Sequence, residues 1–251
     1  MEERTTKNLT YHCFFEQSGT FKNEFKKLGY NAIDYDILND YGQTDVQIDL
    51  FAEIEKAYKG EESVFESVKE GEYIIAFFPC TLFQEHNALW FKGCAAQQGG
   101  WNVKQKLEYC IERHEELHRN YTVLSKLVIV AIDRNIPLVI ENPATPPHYL
   151  STYWCVKPKF VDQDRTERGD WMKKPTQYWF INCEPKNNFI FEPQIVRKAK
   201  KYIDIKGGND RQKTRSEITP EYANRFIREF ILDGAFITEL TLTENGWKDT
   251  K

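Results

Sequence analysis

The chain has 251 residues, a formal net charge of −4, 41% hydrophobic and 14% aromatic residues, which is enough to bury one α/β core with a small appendage and argues against disorder. No run approaches the roughly 18 apolar residues of a membrane helix, and Met1–Asn8 is polar with no signal-peptide core, so a cytoplasmic protein without membrane contact is expected. Six cysteines occur without a C-x-x-C pair, which disfavours a zinc ribbon and suits free thiols.

In chain order, Thr10–Phe15 reads as a strand, and Phe21, Phe25 and Leu28 recur at helical spacing up to a capping Gly29. Ala32–Tyr35 reads as a second strand and Val46–Leu50 as a third, followed by a mostly helical Ala52–Lys69. Tyr73–Phe78 is an apolar strand of the buried parallel kind, ending at Pro79-Cys80. Thr81–Trp101 holds Gly93, Gly99 and Gly100 with little periodicity and reads as a long functional loop. Val103–Arg134 reads as one long helix or two, and Pro137–Ile140 as another buried strand that stops at Glu141-Asn142-Pro143. Beyond it, Gln177–Asn182 reads as a strand, Lys198–Arg215 as a basic segment and Pro220–Leu232 as an amphipathic helix. The alternation implies an α/β, Rossmann-like, mostly parallel sheet with helices on both faces.

In such sheets ligands bind beyond the carboxyl ends of the strands. Cys80 and Glu141 both follow buried strands, so a thiol and a carboxyl share that edge, a pairing suited to nucleophilic addition with acid assistance. Lys157–Arg215 carries about fifteen basic against eight acidic side chains, a charge balance expected of a nucleic-acid-facing surface as well as of a solvated one. His114-Glu115-Glu116-Leu117-His118 has metal-ligand spacing, but its flanks are charged. A partly buried histidine on the stripe of Leu107, Ile111 and Tyr121 is the better reading, and no metal is expected.

Phe77-Phe78-Pro79-Cys80 resembles the Pro-Cys motif of the cytosine-5 DNA methyltransferases, and Ile140-Glu141-Asn142-Pro143 is similar to their Glu-Asn-Val motif. Phe14-Phe15-Glu16-Gln17-Ser18-Gly19-Thr20-Phe21 resembles their cofactor turn. The resemblance runs over roughly residues 8–183 and the last helix, and it is to a compact, phage-type member. It implies an S-adenosylmethionine-dependent methyltransferase fold and DNA (cytosine-5-)-methyltransferase activity, of the kind found in a bacterial or phage-infected cell and in restriction-modification. Cys80 would add to cytosine carbon 6, Glu141 would hold the ring, and Asn142 and Pro79 would fix their geometry. S-adenosylmethionine would be bound by Phe15, Ser18, Gly19, Thr20, Phe21, Asp36, Ile37, Asp49 and Leu50, with Asp34 as a substitute for Asp36.

The sequence departs from the family at Gln17 and Ser18, where a glycine is usual, and at Thr81, where a glutamine commonly follows the nucleophile. The basic motif is also altered, so the substrate clamp is assigned to Arg165, Arg168, Lys173 and Lys174. The expected organisation is a methyltransferase catalytic core over 1–183, a short basic target-recognition-like segment over 184–215 and a C-terminal helix over 216–251 that packs back on the core. The expected substrate is DNA with the target base flipped out. RNA or a free cytosine nucleotide, and a catalytically silent nucleic-acid-binding relative, are the alternatives.

Overall fold

The computed structural model describes residues 9–84, 87–145, 148–190, 192, 217–233, 241–243 and 246–248. Two compact units divide the chain, one made of Met1–Asp164 with Lys174–Glu184 and the other of Arg165–Lys173 with Pro185–Lys251. Most of the basic segment, including Lys198–Arg215, lies outside the described residues.

The first unit is built on a seven-stranded sheet. Its strands are β1 (Thr10–Phe14), β2 (Asn31–Asp36), β3 (Val46–Gln47), β4 (Tyr73–Ala76), β5 (Leu138–Pro143), β6 (Phe160–Asp162) and β7 (Thr176–Ile181), in the order β3-β2-β1-β4-β5-β7-β6. Pairings from β3 through β5 are parallel, whereas β7 runs antiparallel to both neighbours. The order reverses between β1 and β4, which makes a topological switch point where an open α/β sheet binds its ligands. The sequence reading of a mostly parallel α/β sheet therefore holds.

Alternation along the strands sorts the two faces. Phe14, Ile74, Ala76, Leu138, Ile140 and Trp179 join one core cluster with residues of α2 (Leu50–Tyr58) and α4 (Val103–Asp133). Tyr11, one step out of phase with Phe14, instead stacks on Phe25 of α1 (Thr20–Lys27) at 4.2 Å. Right-handed crossovers on either side of the switch point require this placement of α1 opposite α2 and α4. Gly29 closes α1 as expected: at φ 85° it donates to Lys26, while Tyr30 donates to Phe25, the paired bonds of a Schellman cap.

Several local expectations are corrected. The third strand is only two residues long, because Asp49 turns the chain by accepting from Phe51 and Ala52 as the cap of α2. The helix after it stops at Tyr58, and only a short 3₁₀ turn follows at Val64–Ser67. The expected loop 81–101 holds a 3₁₀ turn at Thr81–Phe83, α3 (Asn87–Phe91) and a further turn at Ala96–Gln98. Trp90 and Trp101 fasten it to Tyr109 of α4 at 5.2 and 5.4 Å. Strand β5 runs three residues beyond its apolar stretch, because β7 pairs with it through Pro143. A short α5 (Tyr149–Tyr153) follows.

The first half of α4 leaves Leu107 and Ile111 exposed, and His114 is exposed too, its ring nitrogen bonded to the Cys110 carbonyl at 2.6 Å. The histidine is thus satisfied, as expected, but not buried. Among the described residues no group of three or more His, Cys, Asp or Glu could hold a metal ion, and no helix is long and apolar enough to cross a membrane.

In the second unit, α6 (Pro220–Phe226) is capped by Thr219 and continues as a π-helical turn over Ile227–Ile231, one element split where a single helix is expected. Arg165 lies over the Tyr222 ring at 4.7 Å, and Arg168 pairs with Glu229 at 3.0 Å.

Candidate active site

Cys80 stands four residues past the end of β4, after a segment pinned from both sides. Phe77 donates its backbone N–H to Phe14 at 2.9 Å, which prolongs the parallel ladder. Phe78 stacks on Phe51 and meets Phe15 edge-on, with centroids 5.5 and 5.1 Å apart. Its carbonyl accepts the side-chain amide of Asn142 at 2.9 Å. That amide also donates to the Glu141 carbonyl at 3.0 Å, so the Pro-Cys segment and the Glu-Asn segment are joined by one side chain.

The sulfur is half-buried and opens the 3₁₀ turn Thr81–Phe83. Gln84, one turn further on, donates its amide to Sγ at 3.0 Å. Burial pushes the thiol above its ordinary range; Lys174 pulls it down, Glu141 pushes it up, and the Gln84 bond again lowers it. Cys80 is therefore close enough to Glu141 and Lys174 to feel their charges. Gln84 was not apparent from sequence, although its spacing of four from Cys80 puts it on the same side of a helical turn.

Glu141 is 8% exposed, and its Oε1 has no hydrogen-bond partner among the described residues; Oδ1 of Asn142 is likewise buried and unpartnered among them. An unmatched buried acceptor costs about 1–3 kcal/mol unless a ligand or water satisfies it. Antiparallel pairing sets Glu141 directly opposite Tyr178. Pro79 is exposed beside Cys80.

The turn after β1 is more elaborate than its sequence suggests. Phe15 takes a positive φ of 60° and Gly19 one of 68°. A Cβ on Gly19 would come within 3.2 Å of Asn23 and Gln43, so the bare backbone is required there. Ser18 and Thr20 bond through their hydroxyls at 3.0 Å. Glu16 accepts the backbone N–H groups of Phe21 and Lys22 at 2.7 and 3.3 Å, and thereby caps α1 with a buried carboxyl. Burial raises that carboxyl to about 7, against the pull of the two N–H groups. Sequence reasoning missed Glu16 because Ser18, Gly19 and Thr20 already account for a tight turn.

At the end of β2, Asp36 accepts the Leu38 N–H at 2.8 Å, and burial raises its carboxyl; the neighbouring Ile37 is 58% exposed. Asp34, the suggested substitute, is fully buried against Lys22 at 3.0 Å and accepts the Asp45 N–H, so it is spent on the fold. Asp49 caps α2, and Leu50 is core.

The four basic candidates separate. Lys174 belongs to the unit of Cys80, whereas Arg165, Arg168 and Lys173 belong to the other. Arg165 is 1% exposed and ion-paired with Asp170, and Arg168 is engaged by Glu229, so both arginines serve as structural cations. Lys174 lowers the Cys80 thiol by its charge. No protein-family model matches the chain, and no curated protein matches its sequence.

Proposed function

We propose that the chain is an S-adenosylmethionine-dependent DNA (cytosine-5-)-methyltransferase with Cys80 as its nucleophile. One observation carries the reading. A buried carboxyl, Glu141, with one oxygen unpartnered among the described residues, acts on the Cys80 thiol, which burial raises and which Lys174 and Gln84 pull back toward the thiolate. That combination suits a ring with a hydrogen-bonding edge and an electrophilic carbon: Glu141 takes the edge and Cys80 the carbon.

Cytosine meets both demands. Its N3 and exocyclic amine face Glu141, which assists addition by hydrogen bonding and proton donation at N3. The Cys80 thiolate forms a bond to carbon 6, and the ring electron pair moves toward carbon 5, which becomes nucleophilic. When bound, S-adenosylmethionine supplies the electrophilic methyl group that carbon 5 takes up. Loss of the carbon 5 proton then returns an electron pair to the ring and breaks the carbon–sulfur bond, so Cys80 leaves as a thiolate.

Asn142 holds the two reacting segments together through Phe78, which keeps the addition geometry preorganised. Lys174 takes the role of the missing arginine as a point charge rather than a bidentate clamp. A further consequence follows at Gln84: the amide that the family has next to its nucleophile is supplied here one helical turn later.

The residues at the strand ends fit the methyl donor. The positive φ of Gly19 lets the chain turn tightly at the end of β1, and Asp36 at the outer end of β2 offers an acceptor for ribose hydroxyls. Glu16, poised near neutrality by burial, would gain from a cationic ligand end. DNA is the preferred substrate, with RNA or a cytosine nucleotide as outcomes of the same assay. Transfer of a labelled methyl group from S-adenosylmethionine to DNA, lost in Cys80→Ala, is the expected result. Cofactor binding without transfer to DNA, RNA or nucleotides would leave a binding protein instead.

A further inference from the structure

Beside Cys80 lies a cavity of about 450 Å³ lined chiefly by Phe83, Gln84, Phe91, His148, Tyr149 and Tyr153. Its size falls in the roughly 300–1,000 Å³ range of small-ligand sites. Phe83 and Tyr149 are stacked at 6.0 Å, offering flat aromatic surface. Gln84 links the cavity to the active site, because the same side chain donates to Cys80.

The hydrogen-bond network fixes the chemistry that His148 presents. Gln177 accepts from Ser151 through Oε1 at 2.8 Å, so its amide nitrogen is the end facing Pro143 and His148. That nitrogen donates to the Pro143 carbonyl at 2.7 Å and to Nδ1 of His148 at 3.2 Å. Nδ1 is therefore the acceptor, and in the neutral ring the proton must sit on Nε2. Burial lowers His148 to about 4, so the ring is neutral at physiological pH. The residue is 2% exposed, and Nε2 has no partner among the described residues. His148 lines this cavity, and a buried N–H donor left unmatched there is satisfied by an acceptor that enters it, a ligand or a water.

We propose that this cavity receives a second nucleobase of the substrate strand, stacked on its aromatic side chains and accepting a hydrogen bond from Nε2 of His148. The inference deepens the reading of Cys80 as acting on cytosine in a polynucleotide, and it rests on that reading for the identity of the ligand. A planar heteroaromatic ring with carbonyl or ring-nitrogen acceptors satisfies both the stacking surface and the lone donor. It follows that the base next to the target is also unstacked, so the protein prefers a strand whose neighbouring base can splay out.

The test uses thymidine 5′-monophosphate, whose carbon 5 already carries a methyl group and which therefore does not turn over at Cys80. Titration of the full chain is followed by the imidazole ¹⁵N–¹H signal of His148 in the parent protein, and affinity is read by isothermal titration calorimetry in the parent and in each variant. The expected result is a saturable shift, with affinity weakened roughly tenfold or more in His148→Phe and several-fold in Tyr153→Ala. Tyr153 is 71% exposed, so its variant keeps the test valid if His148→Phe does not fold. No saturable shift with thymidine, cytidine, adenosine or guanosine monophosphate overturns the proposal, as does an affinity indifferent to both variants. In Cys80→Ser the shift is expected to persist. Methyl transfer without the shift sinks this inference alone, and the shift without methyl transfer sinks the Cys80 reading alone.

Discussion

Asn142, inside β5, donates its side-chain amide to the carbonyl of Phe78 at 2.9 Å, and so ties the strand that carries Glu141 to the segment that carries Cys80. The amide is buried, with a second bond to Glu141. Asn142→Leu should therefore cost about 1–3 kcal/mol of stability, the usual penalty for stranding a buried carbonyl. Under the proposed mechanism it should also lower kcat more than it raises KM for DNA. Urea unfolding and steady-state kinetics check the two parts, and an unchanged unfolding midpoint would remove the tie from the account.

The reactivity of Cys80 should report its three neighbours with definite signs. Gln84 and Lys174 hold the thiol down and Glu141 pushes it up. The pH profile of alkylation by iodoacetamide should therefore move to higher pH in Gln84→Leu and in Lys174→Gln. It should move to lower pH in Glu141→Gln. Profiles that coincide with the parent protein would mean that these groups do not act on the sulfur.

Glu141→Gln makes a second prediction at the same site. Turnover should fall by at least about a hundredfold, in keeping with loss of a general acid, while affinity for S-adenosylmethionine stays nearly intact. Isothermal titration separates the two, and retained turnover would remove Glu141 from its role.

Two buried groups should give stability opposite slopes with pH. Glu16 has a folded value of about 7, above its ordinary 4.5. Its contribution is fully present below pH 4.5 and is lost as pH rises to about 7. His148 has a folded value of about 4, below its ordinary 6.5. Its contribution is present above pH 6.5 and is lost as pH falls to about 4. Each effect is on the order of 3 kcal/mol at most, and they largely cancel between pH 4.5 and 6.5. Glu16→Gln should therefore expose a stability that climbs with pH in that window, and His148→Phe one that declines. Chemical denaturation at several pH values checks both, and parallel curves for the two variants would contradict the assignment.

What the sequence disclosed follows from how local each signal is. Strand β4 is legible because a buried parallel strand is an uninterrupted apolar run. The cap at Gly29 was legible because its chemistry lies within a few residues. The extension of β5 through Glu141-Asn142-Pro143 was not, since β7 imposes it from more than thirty residues away. The capping role of Asp49 is not legible in the sequence, because a helix cap and a binding carboxylate look alike until the N–H donors are seen. The ion pairs of Arg165 and Arg168 are hidden for the same reason, their partners Asp170 and Glu229 being visible only in the fold. His148 escaped notice because its meaning depends on Gln177, which orients from another strand.

The covalent chemistry at Cys80 is tested most directly with an oligonucleotide containing 5-fluorocytosine. Fluorine at carbon 5 removes the proton whose loss would expel the thiol, so an addition at carbon 6 followed by methylation has no exit. The account predicts a denaturation-resistant protein–DNA adduct in the presence of S-adenosylmethionine, located to Cys80 by mass spectrometry and absent in Cys80→Ser. An adduct at another residue, or methyl transfer to unmodified DNA that persists in Cys80→Ser, would contradict it.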